Sequence, residues 1–152
     1  MGRNTKRKPA RFGFFLYVIT MLWLLFGQRM EPGVSIGGLS GEFASNLNLT
    51  PFKTILWFVR LPEITDDPYL LTHAFINLVG NVVLFVPLGY MLPDNLPRIN
   101  RFWKMLLLVT AVMIVVEILQ LFTGLGSCDI DDVILNLFGA VIGYILWRIK
   151  TK

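Results

Sequence analysis

The chain is poor in the residues on which many enzymes and metal proteins depend. It has one cysteine, Cys128, and one histidine, His73, among 152 residues. A single cysteine excludes an internal disulfide. A single histidine excludes a metal site built on two imidazoles. No Ser-x-x-Lys spacing is present, which removes one pattern of serine nucleophile. Charge is scarce too. Asp, Glu, Lys and Arg make up 16% of the residues, where a soluble domain carries about a quarter. The basic residues flank apolar blocks and form no stripe, so no nucleic-acid partner is indicated. Cys128 is a poor candidate nucleophile, because Asp129 adjoins it and nearby negative charge raises a thiol pKa.

Hydrocarbon is what the chain has in abundance. Hydrophobic residues make up 55% of it and the mean hydropathy is +0.63. They come in blocks of bilayer length, which predicts an all-α integral membrane protein. A basic segment over 1–11 precedes a single domain over 12–152, with four spans at about 12–28, 70–92, 105–124 and 132–148. The first block reads as a span and not a cleaved signal. No small-x-small site follows it, and Gln28-Arg29-Met30 is bulky. Within the connection to the second span, the Gly- and Ser-rich stretch 33–41 reads as irregular. Thr50-Pro51 then reads as a helix start, with Thr50 as N-cap. Phe52, Ile55, Leu56 and Val59 fall on one face of that helix. The helix, about 51–61 and ended by Pro62, is too short to cross. It is expected to lie in the interface or to re-enter.

Four spans make two sides. The side with both termini and the 94–104 turn holds eleven of the fourteen Lys and Arg residues, and the other holds Arg29, Lys53 and Arg60. The positive-inside rule puts the first side, with the N- and C-termini, in the cytoplasm. The 29–69 connection and the turn at 124–129 then face outward.

Polar residues inside the apolar blocks share faces and depth. His73, Asn77 and Asn81 line one face of the second span, with Gly80 beside them and Pro87 expected to kink it. Glu117 and Gln120 share a face of the third. Asp129, Asp131 and Asp132 open the fourth span, where the helix dipole favours negative charge, and Asn136 follows one turn in. The tight turn at Gly124–Ser127 makes spans three and four neighbours. These residues are expected to converge on one cavity in the outer half, with Glu117 and Asn136 in reach of each other. Gly139 and Gly143 form a small-xxx-small pattern that permits close helix approach. A plainer reading is available: amides and carboxyls in a bilayer serve as interhelical glue, at roughly 0.6–2 kcal/mol per contact. Intramembrane ionisable groups nevertheless point to function by default, and Glu117 or Asp132 is the candidate general base of an enzymatic reading. Several carboxylates at the outer boundary could bind a divalent cation; no metal or cofactor is assigned.

The motifs, in order, resemble the VanZ-like family. They are Asn48-Leu-Thr-Pro51-Phe52, then Asn77-Leu-Val-Gly80-Asn81 running on to Pro87-Leu-Gly89. Glu117-x-x-Gln120 follows, and then Asp129-x-Asp131-Asp132-x-x-x-Asn136-x-x-Gly139-x-x-x-Gly143. The resemblance implies a bacterial multi-pass protein of the cell envelope, in the cytoplasmic membrane. The family's founding member is associated with low-level resistance to teicoplanin, a glycopeptide that acts on wall precursors outside the membrane. The expected role is therefore antibiotic resistance through an outward polar cavity that binds the glycopeptide or a lipid-linked wall precursor. The alternatives are a membrane enzyme acting on a lipid head group, and a small transporter or assembly partner. Where many members carry an Arg before the Asp cluster, this chain has Gly124-Leu125-Gly126-Ser127.

Overall fold

The computed structural model describes residues 7–26, 47–123 and 127–152, with side chains from Arg11 onward. Among these residues there are five α-helices: α1 (Arg7–Phe26), α2 (Lys53–Ile64), α3 (Pro68–Asn95), α4 (Phe102–Thr123) and α5 (Ile130–Lys150). Two short strands, β1 (Leu47–Asn48) and β2 (Cys128–Asp129), pair in parallel, and a 3-10 turn spans Pro97–Ile99. α3, α4 and α5 are long and apolar enough to cross a membrane, and α1 adds an apolar helical stretch over Arg11–Phe26. The Gly-rich connection at 33–41 and most of the tight turn at 124–127 lie outside the described residues.

The long helices alternate in direction. At one end of the bundle, Glu117 near the end of α4 meets Asp129 just before α5. At the other end, the Tyr144 hydroxyl of α5 donates to the Asn100 carbonyl before α4, at 2.9 Å. α1 runs with α4, because its Leu25 meets Gln120 while its Tyr17 hydroxyl donates to the Leu84 carbonyl at mid-bundle. The core lies between them. Phe85, Met105, Val109, Met113 and Ala140 are all but inaccessible, and Met21 and Leu25 of α1 close its side.

α3 and α5 run parallel in backbone contact, and glycine makes this possible. A Cβ on Gly139 would sit 2.1 Å from the Val82 carbonyl oxygen; on Gly143, 1.9 Å from that of Val86; on Gly89, 1.9 Å from that of Ala140. No side chain fits at such distances, so the small-xxx-small pattern of α5 takes α3 as its partner. Gly80, beside the polar face of α3, has no such role: it is exposed, and a Cβ there would meet only Ile76 at 3.9 Å. Pro87 is also exposed, and α3 continues through it and through Pro93 to Asn95.

The short helix differs from expectation in start, end and face. It begins at Lys53, and its N-cap residue is Phe52, in the left-handed region at φ 65° with no capping side chain of its own. Thr50 is not the cap. Pro62 lies inside the helix, which runs on to Ile64. Phe52, Leu56 and Val59 are exposed, while Leu61 is buried. The inward face is thus turned from the predicted one, because a contact outside the helix fixes its rotation.

Candidate functional site

That contact is Asp131. Its carboxylate accepts three backbone N–H groups from the start of α2: Phe52 at 2.5 Å, Thr54 at 2.8 Å and Ile55 at 3.1 Å. The first turn of any helix leaves N–H groups without intrahelical partners, and a carboxylate there also meets the positive end of the dipole. Here the cap comes from the start of a different helix. Asp131 itself is completely buried.

The neighbouring polar residues do similar work. Asp129 is the N-cap of α5 and accepts the Asp131 N–H at 2.9 Å. It also accepts the Thr54 hydroxyl at 2.6 Å and the Asn48 amide at 3.2 Å, tying β1 and α2 to the same point. The Asp129 N–H in turn donates to Glu117 Oε2 at 2.9 Å. Gln120 donates through Nε2 to the Leu25 carbonyl at 2.9 Å. That carbonyl belongs to the last turn of α1, where carbonyls lack intrahelical partners. Asn81 of α3 donates to Asp132 at 2.8 Å. One end of the bundle is therefore a buried polar hub joining the ends of α1, α2, α4 and α5 with Asn81 in the middle of α3. Glu117, Gln120, Asp129, Asp131, Asp132 and Asn136 are each less than a tenth exposed.

The structure brings part of the expected set together. Asn81, Glu117, Gln120, Asp129, Asp131 and Asp132 belong to the hub. Asn136 lies deeper, its amide against the Met113 sulfur at 3.6 Å, one turn along α4 from Glu117. The amide oxygens of Asn136 and Asn77 are buried with no partner among the described residues. His73 is not part of the group: it is exposed and packs on the Tyr69 ring at 4.6 Å. Burial, and then the carboxylates of Glu117 and Asp129, push the Cys128 thiol up from its ordinary value. Among the described residues no three His, Cys, Asp or Glu side chains are grouped to hold a metal ion.

Two grooves lie beside α2, and neither is lined by a hub carboxylate. One, of about 610 Å³, is lined by Lys53, Thr54, Leu56, Trp57, Arg60 and Ile64. The other, of about 460 Å³, is apolar and runs between Phe58, Val59 and Pro62 of α2 and Leu71, Ala74 and Phe75 of α3. The sequence reading quoted Asn48 only within a family motif and gave no site role to it, to Thr54 or to the β1–β2 ladder. The signal for them was faint: an Asn and a Thr six residues apart in a polar connection. It also passed over Gly33-Val-Ser35-Ile-Gly37, formally the spacing of a nucleophile elbow. That motif is diagnostic only in a sharp turn from strand to helix, and these residues lie outside those described.

Long apolar helices packed around polar helix-end contacts define a multi-helix membrane protein. The chain belongs to the VanZ/LLP1 family, whose model matches residues 14–151. It is similar to Protein VanZ of Enterococcus faecium, with 28% identity over 137 residues, covering 90% of this chain and 72% of that protein. No solved structure is significantly similar.

Proposed function

We propose that the chain is a four-span protein of the bacterial cytoplasmic membrane, both termini inside, that lowers susceptibility to a glycopeptide of the teicoplanin type. In this reading it holds the drug, or a lipid-linked wall precursor, at the outer end of the bundle. The observation that carries it is the likeness to Protein VanZ, which extends over 90% of the chain. The alternating helices and the eleven-to-three division of Lys and Arg support the topology. In this topology the hub and α2 lie on the outer side.

The hub's burial reshapes this reading. Its carboxylates are engaged with helix ends, so ligand contact falls to the surface that the hub supports. The same burial argues against Glu117 or Asp132 as a general base, since a base must come within hydrogen-bond reach of its substrate. Expression in a susceptible Gram-positive host, with teicoplanin susceptibility measured beside lipid-linked precursor profiles, tests the proposal. Reduced susceptibility with an unchanged precursor profile is expected. Unchanged susceptibility overturns it, and a new lipid species lost in both Glu117→Gln and Asp132→Asn would favour the enzyme.

A further inference from the structure

The proposed topology leaves three basic residues on the outer side, where such charge is disfavoured. Two of them, Lys53 and Arg60, lie on α2 and line the same groove. They are seven residues apart with Trp57 between them, a spacing that places all three on one helical face. Neither side chain has a hydrogen-bond or ion-pair partner among the described residues. No carboxylate lines the groove, and Leu56, Trp57 and Ile64 supply its apolar part.

The placement of α2 gives the groove its surroundings. Its N-terminus is held by Asp131 at the start of α5. Its C-terminus passes through Thr65-Asp66-Asp67 into the start of α3. α3 and α5 both have the length and apolarity to cross a membrane, and they run parallel. α2 packs along the first turns of α3, Phe58, Val59 and Pro62 beside Leu71, Ala74 and Phe75, and in the proposed topology this part of the bundle lies towards the membrane's outer interface. With 12 residues α2 is roughly 18 Å long, too short to cross. Tryptophan is enriched at that level.

We propose that the Lys53–Trp57–Arg60 groove binds the phosphate-bearing head group of an anionic membrane lipid. The phosphate sits between the Lys53 ammonium and the Arg60 guanidinium, which can engage two phosphate oxygens at once. The upper part of the lipid chains lies along Leu56, Trp57 and Ile64. The inference is independent of any effect on glycopeptides; it rests on the proposed topology and on the charge and shape of α2.

The test uses the full chain in phosphatidylcholine nanodiscs with spin-labelled phosphatidylglycerol or spin-labelled phosphatidylcholine as probe. The motionally restricted fraction gives the protein's preference between them. Wild type is expected to prefer phosphatidylglycerol, by on the order of fivefold for each cation near the surface. Lys53→Gln with Arg60→Gln should abolish the preference, and Lys53→Arg or Arg60→Lys should retain it. Helical circular dichroism and melting temperature check folding; if the double variant does not fold, each single Gln variant should lose about half of the selectivity on a logarithmic scale. An unchanged preference in the folded Gln variants overturns the proposal. So does loss of the wild-type preference to inorganic phosphate at constant ionic strength, which would make free phosphate the ligand. A change in oligomeric size with lipid selectivity intact would assign the face to a second copy, and also overturns it.

Discussion

Asp131 shows how much one side chain decides here. It holds Phe52 in the left-handed region that non-glycine residues rarely adopt, and it satisfies the first amides of α2. Asp131→Ala leaves three backbone donors without this acceptor, and is expected to cost about 2–4 kcal/mol of stability, given the usual worth of caps and charged hydrogen bonds. Asp131→Asn keeps one acceptor oxygen and should cost about half as much; urea melts in detergent measure both. An Ala variant as stable as wild type would contradict the capping role. Cys128 offers a second residue-scale check. Only the thiolate reacts with an alkylating reagent, and the thiol pKa is raised by burial and by two carboxylates. A raised pKa leaves less thiolate at neutral pH, so labelling should be slow there and reach half its plateau rate above the ordinary thiol value of about 8.5. A midpoint at or below that value would show that the carboxylates do not surround it as described.

At the scale of the helix, glycine positions separate by what lies opposite them. Gly139→Ala and Gly143→Ala would press a methyl into the α3 backbone, and each is expected to lower stability by about 1–3 kcal/mol. Gly80→Ala makes only an ordinary contact with Ile76 and should be neutral, or stabilising by up to about 1 kcal/mol from the helix preference of alanine. Comparative thermal unfolding decides the order. The sequence made the pattern at Gly139 and Gly143 visible but not its partner. A tight turn argues for the preceding helix, whereas the contact is with α3, two helices back. The hub was legible in the same partial way. Shared faces and equal depth brought Glu117, Gln120, Asn81 and the aspartates to one end. Which group each would bond was hidden, because the partners are mostly backbone amides and carbonyls, the same at every position in sequence. The rotation of α2 was lost for that reason: its periodicity pointed to Phe52, Leu56 and Val59, and a tertiary contact at its start turned Leu61 inward.

For the molecule as a whole, the polar hub and the helix directions make one account: a bundle with one end fastened by buried carboxyls and amides, and α2 packed beside the first turns of α3. Topology is checked by phosphatase and fluorescent-protein fusions after residues 28, 60, 97, 127 and 152. Phosphatase activity is expected after 28, 60 and 127, and activity after 97 or 152 would overturn the orientation. The central claim is that Asp131 fixes α2 on the bundle. Its most direct test is a spin-label distance from α2 to the far end of α5. With Cys128→Ser removing the native thiol, labels at Glu63→Cys and Thr151→Cys report α2 against the bundle axis. The account predicts one narrow distance distribution in the otherwise wild-type chain, and a broad one when Asp131→Ala is added while α1, α3, α4 and α5 stay helical. A distribution that stays equally narrow in the Asp131→Ala chain would contradict it.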